Sequence, residues 1–443
     1  MREQLTYPYR QVVLANPIKS AAWGFALFLV IYLASPIETV ITYSLAGPSY
    51  LLLMYLSFIC GVFFLKTITT KKTILDKKND APSREADNQR QQSRHSIQRK
   101  DLIRLFWLLF AMATLSQMMW VIDRFYLRGV SLAVDALERR DALEENSSTL
   151  LSIASAVLSP AALVVWHIAL SIKAQYEKHK KYTTVAVIIF WLPAINSTIM
   201  GSRSTFLISI FIFFLIWAYH KNEKIKISGL LIILTTFFLT TVYFIQTFLH
   251  RLELIGLSGL YSIQNSVYAF TLQPSPSSLN YMANNEGDFL TSILFSITNI
   301  AQYYCHGVFE LFYQIDNFQG FEHSLGSNTF FVLYKFLTML APFLPDAFQL
   351  LESGRPHYGA FGTFFGPLHS DFGWFGVIVV FIFGTMAQLT IKKAKSDPGY
   401  IPLAALISAS ITMFPVINML NAGIGFYLFS FFIMYALTWK LIF

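Results

Sequence analysis

Residues 354–395 read GRPHYGAFGTFFGPLHSDFGWFGVIVVFIFGTMAQLTIKKAK. The first half carries glycines at 354, 359, 362, 366, 373 and 376 and prolines at 356 and 367, which excludes one long helix and predicts turns. Its aromatics, among them Tyr358, Phe361, Phe364, Phe372 and Trp374, suit a surface in a membrane interface. The second half, Phe375 to Ile391, is an apolar run that predicts a membrane span. Lys392, Lys393 and Lys395 close it and mark its cytoplasmic end.

The same alternation recurs along the chain. Of 443 residues, 55% are apolar, 42 are phenylalanine and only 13% are charged, far outside the range of a soluble globular protein of this length. The expectation is an all-α, polytopic helical membrane protein forming a single domain over 1–443, with about ten to twelve spans. The net charge of +8 is therefore a matter of sidedness, and not a sign of nucleic-acid binding. Cys60 and Cys305 are the only cysteines, so neither a disulfide framework nor a zinc site is indicated. The basic N-terminus ahead of Ala21–Ala34 has the shape of a signal peptide, but Ser35-Pro36-Ile37-Glu38 is a poor cleavage site, so the run reads as a retained first span.

Spans are expected near 18–35, 48–68, 102–122, 150–172, 183–200, 205–219, 229–249, 375–391, 401–417 and 423–439. Two further segments, 289–315 and 328–345, are interrupted by Asn299, Gln302, His306, Glu310 and Lys335, and read either as spans or as re-entrant elements. Residues 69–101 are polar and basic, predicting a disordered cytoplasmic loop. Loops at 123–149, 249–288 and 346–371 are poor in lysine and arginine or face them from the opposite side, which predicts the periplasmic face and leaves both termini in the cytoplasm. A short surface helix is expected over 135–144, where Asp135 and Arg139 stand four apart.

Outside the 123–149 loop, the external basic residues are Arg203, Arg251 and Arg355. A guanidinium presents a planar fork of donors, so three that converge make a site for pyrophosphate or phosphate. Arg203 sits in a Gly-Ser-Arg-Ser turn opening a helix, where free N–H groups add to anion affinity; an arginine snorkelling at the interface is the plain alternative. His357, His369 and Asp371 are the candidates for proton transfer, with a hydrogen-bonded interface histidine and a cap for the following helix as the structural alternatives. His306 and Glu310 are one turn apart and suit a cavity or an interhelical polar contact. His250, Arg251 and Glu253 also suit a charged rim. P-loop, metal-ligand and Gly-x-Ser-x-Gly patterns are absent from the sequence.

Gly201-Ser202-Arg203-Ser204-Thr205-Phe206 opening a mid-chain span, with Gly362-Thr363-Phe364-Phe365-Gly366-Pro367-Leu368 and Asp371-Phe372-Gly373-Trp374-Phe375-Gly376 before a late one, resemble the Wzy-type O-antigen and oligosaccharide repeat-unit polymerases of bacterial inner membranes. The resemblance implies the helical fold shared with O-antigen ligases and a site on the periplasmic face. It implies glycosyl transfer between undecaprenyl-pyrophosphate-linked oligosaccharides, acting as donor and acceptor, without cofactor, metal or nucleotide. A chain-length regulator protein and membrane lipids are the further partners it implies. Arg203 matches the first arginine position of the family. Arg355, with Gly366 eleven residues later, resembles its late-loop spacing, and His357 or His369 would be the base. An O-antigen ligase and a lipid-linked oligosaccharide flippase remain as alternatives; clustering of charge at external span ends, rather than in mid-span, speaks against transport.

Overall fold

The computed structural model describes most of the chain between residues 16 and 442. Residues 80–98, most of 132–148, 176–179, 201–203, nearly all of 221–257, 318–323, 358–361 and a few single positions lie outside the described residues. The architecture is helical, the arrangement in which a backbone can satisfy itself in hydrocarbon. Among the described residues, six segments are long and apolar enough to cross a membrane: Pro17–Ala34, Ala46–Thr67, Lys100–Leu127, Leu150–Lys173, Lys180–Ile199 and Phe365–Ala394. Shorter apolar helices cover Thr205–His220, Pro398–Thr412 and Gly425–Trp439. The expected span at 229–249 and the helix over 135–144 fall almost wholly outside the described residues.

Helix α1 (Pro17–Ala34) starts where Asn16 accepts the Ile18 N–H at 3.0 Å and Pro17 occupies the first turn, a position where proline costs no hydrogen bond. Strand β1 (Ile37–Thr39) follows. Helix α2 (Ala46–Asn79) continues well past Lys66, where the apolar run stops, so part of the expected 69–101 loop is helical. Helix α3 (Arg99–Val121) ends in a π-helical turn, Ile122–Leu127. The predicted span 150–172 is two helices, α4 (Leu150–Leu158) and α5 (Ala161–Gln175), because Pro160 lacks the N–H needed to continue the first. Helices α6 (Lys180–Ile199) and α7 (Ser204–His220) flank the Gly-Ser-Arg-Ser segment as expected.

Helix α8 (Gly259–Asn265), strand β2 (Leu272–Pro274) and helix α9 (Pro276–Asn284) lead to α10 (Phe289–Asn317). β2 pairs antiparallel with β1, Glu38 opposite Gln273. The two interrupted segments differ sharply. α10 has 29 residues but is not among the six apolar segments, whereas α11 (Phe331–Leu340) has 10, about half of what a crossing needs. Short helices α12 (Ala347–Ser353) and α13 (Phe365–Phe372) come next; α13 falls within the stretch read as turn-rich and has only 8 residues. Helix α14 (Gly376–Ala394) is the strong span. Helix α15 (Ile401–Thr412) stops before Pro415, short of the expected end at 417, and α16 (Gly423–Ile442) ends the chain.

α2 and α14 form the tightest pair, and two glycines explain it. A Cβ on Gly61 would stand 2.1 Å from the Phe381 carbonyl oxygen, and one on Gly384 would stand 2.4 Å from that of Phe58. Each helix therefore receives the other's backbone at a glycine, the small-residue contact that replaces hydrophobic drive between helices in lipid. Ser57 Oγ donates to Val377 O at 2.7 Å and Thr385 Oγ1 to Gly61 O at 3.1 Å across the same seam. The pair is thereby locked in register, and this register sets where α13, at the head of α14, can lie. Phe364 and Phe414 stack at 4.4 Å, with Phe58 edge-on to Phe414 at 5.4 Å, which fills the core beneath it.

Candidate functional site

Helix α13 is short because Thr363 opens it and Gly373 ends it. Thr363 Oγ1 accepts the N–H groups of Phe365 and Gly366, each at 3.2 Å, and Gly373 has φ +55°, a conformation glycine adopts without strain. Tyr50 of α2 donates to the Gly373 carbonyl at 3.2 Å. The helix is thus held at the end of the α2–α14 pair, opposite Lys392 and Lys393.

Three segments bond to α13, namely α10, the 324–329 turn and the loop at Gly354, and a fourth braces the turn. From α10, Gln314 Nε2 donates to Ser370 Oγ at 2.7 Å, and Ser370 Oγ donates to Gly354 O at 2.7 Å. From the 324–329 turn, Ser324 Oγ and the Asn328 N–H donate to Asp371 Oδ1 at 2.7 and 2.9 Å, while the Thr329 N–H donates to Oδ2 at 2.6 Å. From the turn after α15, Asn421 Nδ2 donates to Asn328 O. A Cβ on Gly354 would meet Asn328 Nδ2 at 2.4 Å, so glycine lets the 354–357 loop lie against that amide without displacing it. The cleft they enclose holds about 700 Å³ of space open to solvent, and its polar lining includes Glu310, Gln314, Asn328, Arg355, Asn418 and Asn421.

Arg355, one of the six expected site residues, lines this cleft. His357 stands behind Glu310, with its Nδ1 at 2.9 and 3.1 Å from the two carboxylate oxygens. Its ring packs on Phe270 at 3.7 Å and Tyr313 at 5.0 Å. With Nδ1 committed to Glu310, Nε2 is the nitrogen left to exchange a proton with anything else. Glu310 is 5% exposed; a carboxylate so buried needs a partner, and the imidazole supplies one. A guanidinium beside a carboxylate–imidazole pair can bind an oxyanion and accept a proton in one enclosure.

His369 faces inward: its ring meets Tyr50 edge-on at 5.0 Å, and Nδ1 is 3.5 Å from Gln314 Nε2. Asp371 is completely buried, and both its oxygens are taken by the 324–329 turn, so the carboxylate holds that turn and does not face the cleft. Nor does it cap the next helix, since α14 begins without a side-chain cap. His306 bonds the carbonyls of its own helix at Gln302 and Tyr303, so Glu310 pairs with His357 and not with the histidine one turn before it. Arg203, His250, Arg251 and Glu253 lie outside the described residues. Sequence reading passed over Gln314, Asn328, Asn418 and Asn421; the available signal was Pro415, which argues for a turn where a span was expected.

Comparison with family models, curated proteins and solved structures returns no match.

Proposed function

We propose that the chain is a membrane-embedded glycosyltransferase that polymerises lipid-linked oligosaccharide units on the periplasmic face of a bacterial inner membrane. The observation that carries this reading is the juxtaposition of Arg355 with the Glu310–His357 pair in a cleft at the end of the bundle opposite Lys392 and Lys393. Ten to twelve spans with cytoplasmic termini, and the resemblance of the 201–206 and 362–376 segments to Wzy-type polymerases, belong to the same proposal.

In this mechanism Arg355 binds the pyrophosphate of a polyprenyl-pyrophosphate-linked donor and offsets the charge that grows on it as it leaves. The carboxylate of Glu310, backed by His357, takes the proton of an acceptor hydroxyl. The hydroxyl oxygen bonds to the anomeric carbon as the bond from that carbon to the pyrophosphate oxygen breaks, and the lipid pyrophosphate departs with the electron pair. Alignment of the two substrates supplies much of the rate.

The test is the polysaccharide ladder of a strain deleted for this gene and complemented with wild type or Arg355→Ala. A single repeat unit on the lipid core in the deletion strain, with the ladder returned by wild type and not by Arg355→Ala, is the expected result. A bare core in the deletion strain means ligation or flipping instead, and a full ladder from Arg355→Ala removes this cleft from the chemistry.

A further inference from the structure

The helices α11 and α12 are inserted between two walls of the Arg355 cleft. The 324–329 turn, whose Asn328 lines the cleft, runs directly into α11, and α12 runs out into Gly354 and Arg355. Phe331 of α11 packs edge-on against Phe348 of α12, ring centroids 5.2 Å apart. α11 also packs on α16, which begins just after Asn421, the residue that holds the Asn328 carbonyl. The pair therefore sits at the cleft end of the bundle.

One face of α11 has no partner. Leu333, Phe336, Leu337 and Leu340 are exposed, and positions i, i+3, i+4 and i+7 form a single stripe on a helix. Phe343, 86% exposed, extends the stripe past the helix end. The stripe is wholly apolar. Lys335, the one charged residue of α11, lies on the opposite face with its Nζ 4.8 Å from the Phe348 ring centroid, where its charge stays in reach of water.

Length excludes a crossing. Asp346 Oδ1 accepts the N–H groups of Phe348 and Gln349 at 2.9 and 3.1 Å, which starts α12 and returns the chain to the cleft. α11 thus covers about 15 Å, half of a hydrocarbon core about 30 Å thick. Area argues against a second copy of the chain: a stripe about 15 Å long and 10 Å wide offers roughly 150 Å², where a stable interface needs about 800 Å² from each partner. Any other protein partner meets the same shortfall. A bilayer surrounding spans such as α14 needs no such area from α11 alone, and a helix with a bulky apolar face and a basic residue on the other suits the plane of its interface.

We propose that α11 is an interfacial helix lying flat in the leaflet away from Lys392 and Lys393, with Leu333, Phe336, Leu337, Leu340 and Phe343 among the upper acyl chains. The rim of the Arg355 cleft, joined to both ends of the inserted pair, is thereby held at headgroup depth. The inference rests on the membrane part of the proposed function and is independent of glycosyl transfer.

The test places nitroxide labels on the full chain in lipid nanodiscs and reads their collisions with oxygen, which concentrates in acyl chains, and with a water-soluble nickel chelate. Leu340→Cys and Phe343→Cys are labelled in a chain carrying Cys60→Ala, since Cys60 is exposed and Cys305 is buried. Ile382→Cys on the exposed face of α14 serves as the spanning reference and exposed Glu352→Cys as the aqueous one. Labels at 340 and 343 are expected to favour oxygen, at a depth of about 5–10 Å and shallower than the label at 382. Thermal melting of each labelled chain is recorded, and Leu333→Cys replaces a site that melts early. Nickel collisions as frequent as at 352 overturn the proposal, as does shielding from both reagents, which would mean a protein covers the stripe. Depth increasing steadily from 333 to 343 towards the bilayer centre would mean an inserted segment instead. If the label at 382 also favours nickel, the membrane reading itself falls; if 382 favours oxygen and the α11 sites do not, this inference alone is wrong.

Discussion

His357 Nδ1 lies 2.9 Å from Oε1 of Glu310, a residue 47 positions earlier in the chain. This contact joins the late turn-rich loop to α10 and puts a charge-compensated carboxylate beside Arg355. Because the two groups act as a unit, substitutions of them should not add. Glu310→Gln and His357→Gln are each expected to lower polymer synthesis about 100-fold or more, and the double variant no further than the worse single one. Rates of transfer between lipid-linked oligosaccharides by purified protein measure this; strictly multiplicative losses would show that the residues act independently.

Arg355→Lys preserves charge but removes the planar fork. If the guanidinium grips a pyrophosphate, the lysine variant should raise the donor concentration needed for half-maximal rate by at least about tenfold, equivalent to about 1.4 kcal/mol. Steady-state kinetics against donor decides, and a lysine variant indistinguishable from wild type would assign Arg355 a merely electrostatic role at the interface.

Asp371 is a bracket for the 324–329 turn, with three donors on one buried carboxylate. Asp371→Ala leaves those donors buried and unsatisfied, so a loss of at least about 3 kcal/mol of stability is expected. Thermal unfolding of purified protein should show a clear drop in Tm. Unchanged melting with abolished transfer would instead return Asp371 to the chemistry.

At the α2–α14 seam, Gly61→Leu forces a side chain against the Phe381 carbonyl. Overpacking of this kind costs about 1–3 kcal/mol or more where backbone has to move. The expected result is a lowered melting temperature, with a larger effect than Leu at Gly129, where a Cβ would meet nothing and only the positive φ of 63° opposes it. Equal effects at both sites would mean that the helices adjust freely.

Composition and apolar run length by themselves forecast a helical chain with segments long and apolar enough to cross a membrane, because a bilayer imposes about 20 apolar residues per crossing whatever the neighbours do. Turn chemistry was equally local: the glycines and prolines of 354–376 forecast turns in place of one long helix, and Gly373 takes a positive φ that glycine adopts without strain. Arg355 and His357 were legible as site candidates for the same reason, being charged or titratable groups in a loop read as external.

What the sequence left open depended on partners far along the chain. Glu310 shared a helix face with His306, suited to a cavity or an interhelical contact with no partner named, and Asp371 looked like a proton carrier or a cap. Packing of α10 against the 354–357 loop joined Glu310 to His357 instead, and the 324–329 turn claimed both oxygens of Asp371. Helical spacing records which residues share a face, but a carboxylate takes its role from whichever donors tertiary packing brings within about 3 Å of it.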